Sequence, residues 1–175
     1  MPARRVAALY GGEAPLAAAL ASRLAADGMD VALLGADLTG GESVEKALRR
    51  VADELGPPTV LVACLGDGGR EPDAELRTAF LLTREAVEHM VDQWWGRIVL
   101  LPSTGAGRTL GHAVAGFVKT VALECGVFGV TANAVEVATD PSLCEGAAHA
   151  VSFLAGENAS FVSGQVIRID RPAEG

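Results

Sequence analysis

Two rhythms of apolar residues alternate along this chain. Short unbroken apolar runs are followed by longer stretches in which apolar residues recur every three or four positions. The first run, Arg5 to Tyr10 (RVAALY), reads as a strand buried on both faces. Gly11 and Gly12 interrupt it, Pro15 suits the first turn of a helix, and Leu16, Leu20 and Leu24 repeat along one face until Gly28. The pattern then recurs. Val31 to Leu34 predicts a second strand, and Val44, Ala47, Leu48, Val51 and Leu55 form the stripe of a second helix that Gly56 ends. Thr59 to Leu65 predicts a third strand, and a long helix is expected over Ala74–Trp95. A fourth strand begins at Gly96, a fourth helix spans Arg108–Gly126, and Val130 to Val137 is a fifth strand. A helix around Leu143–Ala155 and a last strand, Val166 to Asp170, close the chain. Strand and helix alternating in this way predict a doubly wound α/β sandwich: a mainly parallel sheet of about six strands with helices on both faces. We find no domain boundary, repeat or low-complexity segment, so residues 1–175 are expected to form a single domain.

Composition narrows the function. Half of the 175 residues are hydrophobic but only 5% are aromatic, and small side chains of this kind suit close helix-on-sheet packing. The net charge is −8, and Lys46 and Lys119 are the only lysines, which argues against a nucleic-acid or anionic-membrane surface. No basic-then-apolar leader starts the sequence, and no unbroken apolar run approaches about 18 residues. A cytoplasmic protein without a membrane segment is therefore expected. Cys64, Cys125 and Cys144 lack metal-ligand spacing and read as small hydrophobes. His89 and His149 have no ligand partner at i+4, so no metal site is expected.

The stretch from Gly96 to Glu124, GRIVLLPSTGAGRTLGHAVAGFVKTVALE, carries a resemblance. Its strand, its small-residue turn with Ser103 and its helix rich in small residues resemble the short-chain dehydrogenase/reductase family, closest to its 3-oxoacyl carrier-protein reductases. FLLTREAVEHM, Asn133 and the closing segment HAVSFLAGENASFVSGQVIRID resemble it too, so the likeness spans almost the whole chain. It implies a dinucleotide site at the first glycine turn, formed by Gly11 and Gly12, with Gly66 at the end of the third strand. Asp37 would meet an adenosine ribose, which favours NAD over NADP. The family's three turn glycines align with Gly11, Pro15 and Ala17. Pro15 removes an N–H at the helix start, and Glu13 puts negative charge where phosphates would sit. The turn is either a weakened cofactor site or an ordinary strand-to-helix turn, and Asp37 is equally readable as a solvated turn residue. No cofactor is expected, and NAD if any.

The family's chemistry requires a phenol and a nearby lysine. Their places fall near Gly107 and Gly111, and no tyrosine follows Tyr10. Two of the family's cofactor-lining asparagines align with Ala63 and Cys64, a catalytic-site asparagine with Glu75, and Lys119 with a non-catalytic position. The family's extra helix and strand after the second strand are missing, so that strand should form a bare edge. Arg70 reads as either an anion contact or a solvated loop residue. Ser103 and His112 remain as candidates for acyl or proton transfer, although the turn PSTGAG is not a nucleophile elbow.

Two function classes follow. One is a catalytically degenerate homologue acting as a non-redox partner or binding subunit of an acyl or polyketide reductase system. It would assemble, with itself or with an active family member, through helices 74–95 and 108–126. The other is an enzyme, either an atypical NAD(P)-dependent oxidoreductase or a non-redox catalyst using Ser103 and His112.

Overall fold

Each apolar run forms a strand because it can pair its backbone only with another buried run. In the computed structural model, which describes residues 4–35, 38–66, 69–138 and 140–170, six strands make one sheet. They are β1 (Val6–Tyr10), β2 (Asp30–Leu34), β3 (Pro58–Leu65), β4 (Gly96–Pro102), β5 (Val130–Val137) and β6 (Val166–Ile169). Their order is β2-β1-β3-β4-β5-β6, and every pairing is parallel.

Five helices cover the two faces of the sheet. The helices α2 (Gly41–Leu55), α3 (Pro72–Asp92) and α4 (Arg108–Cys125) lie on one face, where Val44, Leu48, Leu82, Met90, Leu110 and Val118 pack under them. The helices α1 (Ala14–Ala26) and α5 (Cys144–Ala155) lie on the other, over Leu20, Leu24, Val151 and Leu154. The chain leaves β1 toward one face and β3 toward the other. Between these two strands lies the reversal point, outside whose carboxyl ends doubly wound sheets hold ligands.

The long helix starts two residues before and ends three residues before the expected Ala74–Trp95. Pro72 starts it, and it stops at Asp92 because the Met90 carbonyl accepts from the N–H groups of both Gln93 and Trp95. Trp94 takes a left-handed turn (φ 51°) and packs on Phe128, while Trp95 leads into β4. The expected bare edge is present. β2 has no outer neighbour, Leu33 is 63% exposed, and Leu55, read as part of a buried stripe, is half open for the same reason. One helical stretch, Arg108–Phe128, is long and apolar enough to cross a membrane by length and composition, which the search for unbroken runs missed. Leu110, Val114, Val118 and Val121 bury one side of it in the core. Asp37, Asp67, Gly68, Thr139 and the final RPAEG lie outside the described residues.

At the amino end of the sheet a buried arginine ties three segments together. The Arg97 guanidinium donates to the carbonyls of Gly96 (2.8 Å), Gly129 (3.2 Å) and Gly156 (3.2 Å) and lies over the Trp95 ring. Arg5 covers the same ring, and Glu157 pairs with both arginines. Burial, and then the Arg5 charge, lower the Arg97 pKa to about 10, so it stays cationic at neutral pH. Arg97→Ala leaves buried carbonyls short of a donor as well as a void. It is expected to lower the unfolding free energy in urea titration by about 3 kcal/mol. Arg97→Lys should recover only part of that, because an ammonium cannot reach three carbonyls from one plane.

Candidate functional site

The reversal point is built on a close backbone approach. Gly11 takes φ +69°, and a Cβ there would stand 2.5 Å from the Cys64 carbonyl oxygen on β3. Gly12 (φ +93°) lies over the Cys64 sulfur, 3.2 Å from where its own Cβ would be. The two turn glycines thus fold down onto β3. Gly66, two residues beyond Cys64, closes the same end.

Side chains then fill the crevice. Arg70 donates to the Tyr10 hydroxyl (3.2 Å) and to Thr78 Oγ1 (3.2 Å), and pairs with Glu75 at 3.6 Å. Glu75, 3% exposed, accepts from the Gly66 N–H at 3.2 Å. A carboxylate so deeply buried persists only when paired and hydrogen-bonded. Arg70 is therefore tied into a side-chain network rather than solvated in its loop. The chain's one tyrosine is held in the same network. Sequence reading did not connect these residues, because Tyr10, Arg70 and Glu75 belong to three separate elements that only the folded sheet brings together.

Two cavities flank the ends of β4 and β5, with Pro102 and Ser103 in the wall of both. The smaller, about 240 Å³, opens toward α1 and α5 and is lined by Glu13, Pro15, Leu16, Val137, Asp140 and Cys144. Glu13 precedes α1 and makes no side-chain cap to it, and Pro15 lies in the first turn. Two carboxylates therefore stand at the helix start that a phosphate would approach. The Cys144 thiol registers that charge. Burial pushes its pKa up first, and Asp140, Glu13 and Glu145 add to the rise against an opposing backbone hydrogen bond.

The larger cavity, about 420 Å³, opens toward α4. It brings together Ser103, Arg108, His112, Glu136 and Arg168. The Ser103 N–H donates to the Leu65 carbonyl (2.8 Å), and its hydroxyl accepts from the Gly105 N–H (3.3 Å). Ser103 and His112 thus line one cavity, but no hydrogen bond joins them among the described residues. The residues that sequence reading missed here are Glu136, Arg108 and Arg168. Glu136 Oε1 lies 2.9 Å from the point where a Cβ on residue 111 would stand. The Glu136 carboxylate therefore occupies the space that a side chain at position 111 would enter. Its one signal in the sequence was a charge inside an otherwise uncharged strand, VTANAVEV. Asn133 is structural: its side chain donates to the Val162 carbonyl (2.8 Å) and accepts from the Gln165 N–H (3.0 Å), fixing the approach to β6.

No family model matches the chain. Among curated relatives, the short-chain dehydrogenase/reductase family member NovK of Streptomyces niveus is 28% identical over 235 residues, covering 97% of this chain and 96% of NovK. The short-chain reductase protein NovJ of the same organism is 30% identical over 179 residues, 74% of this chain and 67% of NovJ. The 3-oxoacyl-[acyl-carrier-protein] reductase MabA of Mycobacterium tuberculosis is 28% identical, over 91% of this chain and 89% of MabA. Among solved structures, a Serratia marcescens short-chain dehydrogenase/reductase superposes with a TM-score of 0.79 at 25% identity, over 97% of this chain and 98% of that one. A Thermus thermophilus protein shares the fold with a TM-score of 0.81 at 22% identity, over 95% of this chain and 97% of that one.

These likenesses define a Rossmann-type α/β protein related to oxidoreductases. The chain belongs to the short-chain dehydrogenase/reductase family. The NovK comparison runs over 235 residues against 175 here, so the relative carries segments that this chain lacks.

The thiol environment gives a direct check. At pH 8, alkylation of Cys144, followed by peptide mass spectrometry, should be slower than that of an unstructured cysteine peptide, because a raised pKa leaves less thiolate. Asp140→Asn removes one of the charges that raise it and should speed the reaction severalfold.

Proposed function

We propose that this protein is a non-redox member of its family, a pseudoenzyme that serves as a partner or binding subunit rather than as a hydride-transfer catalyst. The observation that carries this reading is the filled reversal point. Arg70, Glu75 and Tyr10 bond to one another in the crevice where such folds hold a dinucleotide. Glu13 and Asp140 add charge that opposes a pyrophosphate. The only phenol is committed to Arg70, and a carboxylate, Glu136, stands beside position 111, where the family resemblance places a lysine cation. Gly11, Gly12 and Gly66 then serve the close packing of β1 on β3 and not a cofactor.

The face for assembly is the exposed side of α3 and α4. Phe80 and Phe117 pack on each other at 6.4 Å, and Leu123 is 83% exposed. Exposed apolar side chains of this size mark interaction surfaces. The occupant is a second α3/α4 pair, from another copy of this chain or from a catalytically complete relative. The name of MabA supports an acyl-reductase setting for that relative.

The experiment is titration with NADH and NADPH under thermal shift and calorimetry. A site filled at a hundred times its Kd would add about 2.7 kcal/mol of stability. The expected result is no shift with either cofactor at millimolar concentration, and a clear shift sinks the reading. For the assembly face, Phe80→Glu should reduce the mass seen by sedimentation to that of one chain while the fold persists in circular dichroism. An unchanged mass would remove this face from the proposal. A second reading, catalysis by Ser103 and His112, is favoured by their shared cavity with Glu136. It requires Ser103→Ala to cost orders of magnitude in some assayed activity, whereas a binding subunit tolerates that change.

A further inference from the structure

Arginine and lysine side chains here are mostly occupied. Of the 14 in the chain, Arg171 lies outside the described residues, and ten of the others form ion pairs. Arg108 is one of the three that form none among the described residues, and it lines the cavity of about 420 Å³ at the carboxyl end of β4 and β5. In a chain with 22 acidic residues, a cation without a carboxylate partner at a cavity wall is available to one from outside. A second guanidinium, Arg168, lines the same cavity. Its ion pair with Asp170 (3.0 Å) is largely exposed, so solvent screens it and it exchanges readily.

Glu136 also lines the cavity and has no ion pair or hydrogen bond among the described residues. It would repel a plain anion, but it accepts a hydrogen bond from any ligand that brings a donor. Ser103 and His112 supply further hydrogen-bonding groups. The volume suits a small molecule, at the low end of the range of roughly 300–1,000 Å³ for ligand pockets.

We propose that this cavity binds a small hydroxy- or amino-carboxylate, with its carboxylate on Arg108 and Arg168 and its hydroxyl or ammonium group on Glu136. The site uses none of the residues that fill the dinucleotide crevice. It shares only Glu136 with the argument for the non-redox reading, and the two titrations can fail independently.

The test is calorimetric titration of the full chain with lactate, serine, acetate and inorganic phosphate at matched ionic strength. Lactate or serine should bind, with acetate and phosphate weaker because they offer Glu136 no donor or meet its charge. Arg108→Gln should weaken that binding by about tenfold or more, as expected for loss of a charge-assisted hydrogen bond, and Arg168→Gln should weaken it less. Glu136→Gln should narrow the gap between lactate and acetate. Thermal unfolding of each variant, compared with the parent, separates loss of binding from loss of fold. The proposal is overturned if neither lactate nor serine binds, if phosphate binds as well as they do, or if a folded Arg108→Gln variant binds unchanged.

Discussion

The functional end of this molecule depends on how closely the exit turn of β1 approaches β3. Gly11 rests against the Cys64 carbonyl at a distance that admits no side chain. That contact fixes where α1 begins and draws Tyr10 and Gly66 to the same level. It also places the small, apolar Cys64 beneath the turn. With the floor of the crevice set, Arg70 can span from Tyr10 to Glu75, and it satisfies a buried carboxylate that would otherwise be prohibitive. The plug is thus a consequence of backbone geometry plus two charge-bearing side chains. The Glu75 charge alone would be a liability there, because a buried carboxylate needs its partner cation.

Charge placement separates the two sides of the β4–β5 end. On the α1/α5 side, Glu13 and Asp140 face an apolar slot and raise the Cys144 pKa. On the α4 side, Arg108 and Arg168 oppose Glu136 across a larger opening. Ser103 sits on the wall between them. A ligand anion is therefore repelled from one side of this serine and finds partners on the other, although Pro102 and Ser103 line both cavities. The net charge of −8 says nothing of this; the distribution of the few unpaired cations does.

The framework was legible in the sequence for a simple reason. A parallel strand buried on both faces tends to be an unbroken apolar run, and a covering helix must carry a stripe, so VAALY and VLVACL announced themselves. Boundaries moved by a few residues, most at Met90, whose carbonyl ends the long helix two residues before the tryptophans. The site was legible only in its losses. The absent phenol, Pro15 and Glu13 could be read in order along the chain. The replacements could not, because each joins residues far apart: Arg70 with Tyr10, Glu136 with Gly111, Arg97 with Gly156. Apolar periodicity carries no information about such polar pairings.

Glu136 and Gly111 meet at the wall of the larger cavity. The carboxylate stands where it does because residue 111 is glycine; a side chain there would push the flexible end of Glu136 aside. Conversely, the space a glycine leaves on α4 would be a void in the cavity wall without Glu136. Neither residue is explained by packing of the core, since Glu136 is half-buried and the rest of β5 is already sealed. The unpaired Arg108 stands a few residues away on the same helix. A wall that keeps one acid and one base, unpaired with each other or with anything else described, is arranged for a third party that bears both charges or their hydrogen-bonding equivalents.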